Sequence, residues 1–250
     1  MKYTGEETKY DKSSKVMIRM FFLVLTPIVI YSLCLIPPVA IITLFFYYVQ
    51  ATWQIIVFLP FVLMISFLVL VVSSVFITGG AIRGFHLIYR DGRYGKSMRD
   101  KVSFRFSLYY ALYRPTVKLI HVFFLSPLYA TYLRLVGAKI GKNVFFGGRN
   151  NIADPCAVEI GDNTLIGGGA SILSHLGEDK LIIKTVKIGK NCLVGGEALV
   201  MPGVIMEDYA VLGGKSLATK YMVLKSKTHY GGVPAQELKK DRKSDGKKDK

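Results

Sequence analysis

From Met20 to Ile82 the chain contains no Asp, Glu, Lys or Arg, an uncharged stretch of 63 residues (20 to 82 inclusive). One bilayer crossing needs about 20 apolar residues, so the stretch is too long for one helix of a soluble core and predicts two membrane spans. The first runs from about Met17 to Tyr48 and contains Pro27 and the Pro37–Pro38 pair, which should kink or end it. The second runs from about Trp53 to Thr78 and should end at Gly79–Gly80. Between them, residues 47–53 read as an interfacial turn with aromatic anchors.

Charge then decides orientation. The net charge of +16 suits a nucleic-acid partner at first sight, but its distribution argues against one. Lys9, Lys12, Lys15 and Arg19 precede the apolar stretch; Arg83, Arg90, Arg93 and Lys96 follow it. Two spans put both ends on one side of a membrane, and flanking cations make that side cytosolic and the partner an anionic lipid bilayer. Residues 1–16 read as a polar cytosolic arm, 17–80 as the hairpin, and 81–137 as amphipathic helices in the headgroup layer, in the segments VSFRFSLYYALYRP and TVKLIHVFFLSPLYATYLRLV. The tail ELKKDRKSDGKKDK has a disordered composition and enough cations to touch lipid.

Beyond Lys139 the pattern changes to hexads: IGKNVF, IGDNTL, IGGGAS and IGKNCL. A six-residue repeat with one aliphatic per unit is the sequence sign of a parallel β-helix, each short strand turning one side chain inward. The inward positions are Ile140, Phe146, Ile152, Ile160, Ile166, Ile172, Ile188, Val194, Val200, Met206, Leu212 and Ala218. Most steps are six residues, but Ile152 to Ile160 is eight and Ile172 to Ile188 is sixteen. The first gap predicts a bulge at Asp154-Pro155-Cys156, the second a ten-residue loop leaving the prism after Ser174. Twelve positions at three per turn make about four coils, giving a prism over 138–222 and an extension with basic tail over 223–250. The glycines that follow the inward residues are expected at tight corners.

These repeats, the run Met201-Pro202-Gly203-Val204 with AVLGGKSLATK, and the closing Gly231-Gly232-Val233-Pro234-Ala235 resemble the hexapeptide-repeat acyltransferase superfamily over roughly residues 133–236. Ser174-His175-Leu176-Gly177-Glu178-Asp179-Lys180 followed by VKIG is similar to the loop in terminal membrane modules of poly-lysine-synthetase-like proteins. The resemblance implies a left-handed parallel β-helix, an all-β prism preceded here by a transmembrane α-helical hairpin and interfacial helices. It also implies a homotrimer with sites between adjacent prisms, a thioester donor (acyl-CoA or an acyl-phosphopantetheine, with an acyl carrier protein as a possible partner) and one His as general base.

His175 is the His within the repeats so delimited, and it stands where the loop leaves the prism. A neutral imidazole suits removal of a proton from an attacking hydroxyl or amine near neutral pH. A base needs an orienting partner on its other nitrogen. Ile152 lies one coil below Ile172, which brings Asp154 under His175; Glu178 and Asp179 in the loop are rivals. Oxyanion donors are sought at Gly167-Gly168-Gly169 and Gly195-Gly196. Donor contacts are sought at Gly195, Gly196, Gly213, Gly214, Lys215 and Lys220, with Lys225 and Lys227 further candidates for phosphates. His86 and His121 stand alone among apolar residues and read as packing groups. Cys34, Cys156 and Cys192 lack the spacing of a disulfide framework or metal site. No metal is expected, since the metal-dependent carbonic anhydrases of this fold need three His ligands. A sugar-nucleotide pyrophosphorylase would carry a nucleotide-binding domain where this chain has its hairpin. The remaining rival is a non-catalytic, membrane-tethered trimeric scaffold.

Overall fold

A computed structural model describes residues 13–123 and 125–238. Most of the N-terminal arm, with Lys9 and Lys12, and most of the basic tail lie outside the described residues. The chain forms two compact units. One comprises the residues up to Lys139 together with Pro155–Ala157 and Leu176–Ile183; the other comprises Ile140–Asp154, Val158–His175 and the residues from Lys184 onward.

The first unit is built on two long helices, α1 (Ser13–Tyr48) and α2 (Thr52–Gly84), joined by a three-residue turn. At 1.5 Å per residue each is about 50 Å long, more than a hydrocarbon layer of about 30 Å requires. In their most apolar stretches only 17% and 11% of residues are buried. Their outer faces expose Phe21, Val24, Ile28, Ile36, Leu44, Ile56, Phe61 and Ile65, among others. A water-facing surface does not sustain an apolar patch of that extent, so these helices have the length and exposure that a bilayer demands.

Pro37–Pro38 does not end the first helix, and the structure gives the reason. A proline at 38 cannot donate to the carbonyl of Cys34, four residues back. Ser73 Oγ, from α2, donates to that carbonyl instead at 2.9 Å. Gly79–Gly80 likewise does not end the second helix. A Cβ on Gly79 would stand 3.1 Å from Leu135 Cβ, so that glycine serves close packing of a later helix on α2.

The following segment forms two helices. α3 (Lys101–Val122) runs unbroken through Pro115, and α4 (Ser126–Leu135) follows. Asp100 caps α3, accepting from the N–H groups of Val102 and Ser103. α3 lies alongside α1: Arg19 donates to the carbonyls of Met98 and Arg99, and twelve residues further on Tyr31 donates to that of Leu112 at 2.7 Å. Tyr109, Tyr113, Tyr129 and Tyr132 are buried where α3 and α4 meet. Burial pushes the phenols of Tyr113 and Tyr132 up, and Tyr132 Oη shares a 2.9 Å hydrogen bond with Thr78 of α2. Tyr109 Oη in turn donates to the carbonyl of Val136 at 2.9 Å, tying α3 to the end of α4.

The second unit is a left-handed parallel β-helix, a triangular prism of three parallel ladders. The first stacks Ile140, Ile160, Ile188, Met206 and Leu224. The second stacks Phe146, Ile166, Val194, Leu212 and Tyr230. The third stacks Ile152, Ile172, Val200 and Ala218. All twelve inward positions read from the sequence are buried, and Leu224 and Tyr230 extend the six-residue step past residue 222. His229 therefore also lies on the prism, exposed on the strand His229–Gly231.

The glycine that follows seven of the twelve inward residues has a different cause from tight corners. Most left-handed positions in the prism belong to residues other than glycine, among them Asn143, Asn163, Asn191, Glu197 and Tyr209, with φ between 53° and 63°; Gly169 and Gly203 are exceptions, at 71° and 77°. The glycines instead lie where successive coils nearly touch: a Cβ on Gly161 would be 2.6 Å from the carbonyl carbon of Gly189.

Candidate active site

The six-residue step works as a ruler, and the site lies where it breaks. Ile152 and Ile172 are partners in the third ladder. Past Ile152 the chain inserts a single 3-10 turn, Pro155–Ala157. Past Ile172 it leaves the prism as a hairpin with strands His175–Gly177 and Leu181–Ile183. Asp154 and His175 thus occupy one corner on adjacent coils.

Nδ1 of His175 lies 2.7 Å from Oδ2 of Asp154. The carboxylate is wholly buried, while the imidazole keeps 28% of its surface exposed. Oδ2 also accepts the backbone N–H of Ser174 at 3.1 Å. With the carboxylate as acceptor, Nδ1 carries the proton and Nε2 is the unprotonated nitrogen. A tautomer fixed by a carboxylate on Nδ1 is the arrangement that general-base chemistry uses.

The loop carboxylates do not share this position. Asp179 is exposed and pairs with Arg93 at 3.2 Å. The backbone N–H of Lys180, together with Arg93, holds its carboxyl below the usual range. The Glu178 N–H closes the hairpin on the Lys180 carbonyl at 3.1 Å. The loop's strand Leu181–Ile183 pairs antiparallel with Gly92–Tyr94 of the same chain. That short strand has no periodic signature, and its partner is about 90 residues away, so sequence reasoning missed both it and the Arg93 contact.

Gly195, Gly196, Gly213, Gly214 and Lys215 follow the second ladder, whereas His175 follows the third, so within one chain they occupy a different corner from His175. Gly167-Gly168-Gly169 share that other corner. Lys215 stands 3.7 Å from Glu197. Lys220 follows Ala218 on the third ladder and so shares the corner of His175, two coils on, a rise of about 10 Å at the usual strand spacing. Lys225 and Lys227 follow the first ladder. His121 packs edge-on against Tyr129 at 4.9 Å, and burial lowers its pKa. His86 is exposed, with Nδ1 2.9 Å from the carbonyl of Gly84. Burial pushes the Cys192 thiol up, as expected of a packing residue rather than a nucleophile. Among the described residues no three His, Cys, Asp or Glu gather as a metal site.

With this geometry the second unit is a hexapeptide-repeat β-helix, and comparison with known proteins agrees. Residues 137–174 and 185–214 match the family described as the hexapeptide repeat of succinyl-transferase; the gap between the two matches is the loop. The chain is 28% identical over 111 residues to delta-poly-L-ornithine synthetase of Acinetobacter baumannii (strain AB307-0294), 44% of this chain but 8% of that protein. It thus spans less than a tenth of that relative's length. Among solved structures, it is similar to a maltose O-acetyltransferase from Clostridium difficile 630, with TM-score 0.42, 21% identity, and 60% and 92% of the two chains covered. It is also similar to a hexapeptide-repeat-containing acetyltransferase of Vibrio cholerae O1 biovar eltor complexed with acetyl coenzyme A, with TM-score 0.39, 22% identity, and 41% and 60% covered.

Proposed function

We propose that this chain is a membrane-anchored acyltransferase. It moves an acyl group from a thioester, on coenzyme A or on the phosphopantetheine of a carrier protein, to a hydroxyl or amine of a membrane-associated acceptor. The observation that carries the reading is the buried Asp154 carboxylate 2.7 Å from Nδ1 of the partly exposed His175, where the chain leaves the prism. The repeat of succinyl-transferase supports acyl transfer as the reaction, and the two exposed apolar helices support an acceptor held in the membrane.

His175 Nε2 takes the proton from the acceptor hydroxyl or amine. The freed lone pair attacks the thioester carbonyl carbon, the tetrahedral intermediate collapses with cleavage of the C–S bond, and the imidazolium returns the proton to the departing thiolate. Asp154 holds the ring in its productive tautomer and stabilises the imidazolium. In the homotrimer that this reading includes, a second prism brings its Gly195–Gly196 and Gly213–Gly214 corner to the His175 corner of the first, with Lys220 and Lys215 as cations for the donor's phosphates. Both ends of the hairpin lie on the cytosolic side, where thioester donors are made.

The test is thioester turnover. Wild type and His175→Ala are purified in detergent, given acetyl-CoA or an acyl-loaded carrier protein with total membrane lipids, and followed by thiol release. Acceptor-dependent release by wild type that the variant lacks is expected. Equal release from both removes His175 from the mechanism, and no release with either donor favours a tethered scaffold.

A further inference from the structure

The helical unit contains a cleft of about 490 Å³ at the end of the hairpin where the charge-free stretch begins. Its walls are one face each of two helices. Arg19, Phe22 and Thr26 come from α1, spaced three and four residues apart; Lys101, Phe104, Arg105 and Leu108 come from α3 at the same spacings. Phe85 and Leu87, just after α2, complete it.

The lining is sorted by chemistry along the helix axis. Arg19 and Lys101 stand at one end, with Arg105 one turn on. Thr26 and Leu108 stand about 10 Å further along, at seven residues of 1.5 Å each. Among the described residues no carboxylate lines the cleft. Asp100, next to Lys101, is wholly buried and turned to the backbone N–H groups of Gly95, Val102 and Ser103. Lys101 and Arg105 repel each other as like charges four apart on a helix, and Lys101 sits in the first turn, where the helix dipole disfavours a cation. Arg19 is held at the wall by the carbonyls of Met98 and Arg99, with its guanidinium 5.9 Å from the ring of Phe104. Three cations brought together against local electrostatics, beside an apolar trough entering the span, fit one kind of occupant: an anion that carries a hydrocarbon chain.

We infer that this cleft binds the phosphate headgroup of an anionic membrane phospholipid. The phosphate lies between Arg19, Lys101 and Arg105, and the first part of an acyl chain lies along Phe22, Thr26 and Leu108. The inference rests on the membrane-anchored part of the proposed function and on none of its chemistry.

The experiment measures lipid retention by the full chain in nanodiscs and in mild detergent, with no acyl donor present. Phosphatidylglycerol is titrated against phosphatidylcholine, with inorganic phosphate as a competitor, and bound lipid is counted by native mass spectrometry. The double variant Lys101→Gln/Arg105→Gln is compared with Arg90→Gln/Lys96→Gln, which removes the same charge outside the cleft. Phosphatidylglycerol retained in preference to phosphatidylcholine, with affinity falling about tenfold or more in the first variant and less than twofold in the second, is expected. Equal losses in both variants reduce the effect to general surface charge and overturn the inference. Displacement by inorganic phosphate at lipid-like concentrations overturns the lipid as occupant. Retention seen only after deletion of residues 2–12 overturns it in favour of the arm bearing Glu6, Glu7 and Asp11. Carbonate extraction of the same preparation reports separately on membrane anchoring, and thiol release separately on acyl transfer.

Discussion

Replacing Asp154 by Asn tests the proposed mechanism at its narrowest point. Oδ2 of Asp154 accepts from His175 Nδ1 at 2.7 Å and from the Ser174 N–H at 3.1 Å. Both bonds end on one oxygen, so an Asn whose carbonyl oxygen takes that place keeps them both. What it removes is the negative charge that stabilises the imidazolium, which makes Nε2 a weaker base. General-base assistance contributes about 10² to 10⁴ in rate, or about 3 to 5 kcal/mol of barrier at 1.36 kcal/mol per decade. We expect kcat to fall by that factor while KM for the donor changes less than about threefold, because no donor contact is removed. Folding is affected far less: two hydrogen bonds to a charged acceptor become neutral ones, a loss of about 1 kcal/mol each, offset by no longer burying a carboxylate. The assay is thiol release against acceptor concentration, with circular dichroism and thermal unfolding run in parallel. A folded Asp154→Asn protein that keeps kcat within about threefold of wild type refutes the role given to the Asp154 charge. So does Asp179→Asn causing the larger loss, since Asp179 is exposed and pairs with Arg93.

Gly195→Ala puts a Cβ against the backbone of Gly213 and Gly214 one coil on, so thermal unfolding should report a loss of about 3 kcal/mol or more; Gly177→Ala, with nothing within 4 Å, should be near neutral. Ser73→Ala should destabilise the hairpin by about 1 to 3 kcal/mol by orphaning the Cys34 carbonyl, and adding Pro38→Ala, which restores the N–H at that position, should recover most of the loss in a double-mutant cycle. The depressed Asp179 carboxyl places the Arg93 clamp's contribution above the unfolded-state pKa of about 3.9, to be lost as pH falls through the lower folded value. Amide exchange of residues 176–183 should therefore stay slow from neutral pH to about pH 4 after correction for intrinsic rates, and rise only below it, whereas Asp179→Asn should show the raised exchange at every pH.

How far the sequence could be read follows from the range of the forces involved. The prism was legible because its repeat is local: one buried aliphatic every six residues states both the strand and its partner one coil away, and Ile152 opposite Ile172 follows from counting. The two long helices were legible because a charge-free stretch of 63 residues is long enough for two apolar helices joined by a turn. The course of α3 was not legible. VSFRFSLYYALYRP has an amphipathic pattern that suits a membrane surface equally well, and only contacts such as Tyr31 with Leu112, 81 residues apart, place it along α1. The same holds for Pro38, whose penalty is removed by a serine 35 residues later, and for Gly79, which looks like a helix terminator until Leu135 is packed on it.

The candidate site was legible for a more specific reason. A strict hexad leaves no position for a buried charge, because every inward residue must fill an apolar column and every following residue must clear the coil above. Polar chemistry therefore enters this prism through departures from the period. The described coils up to Ala218 contain two such departures, after Ile152 and after Ile172, both on the third ladder and on adjacent coils. The first supplies a carboxylate buried at the coil edge, the second an imidazole at the mouth of a loop, and the register that stacks their ladder residues brings them to 2.7 Å. Either insertion alone would be an ordinary bulge in a solenoid. Their coincidence on one corner is what a structural accident does not require and a general base does, which is why His175 and Asp154, rather than the glycine corners or the lysines, carry the functional reading.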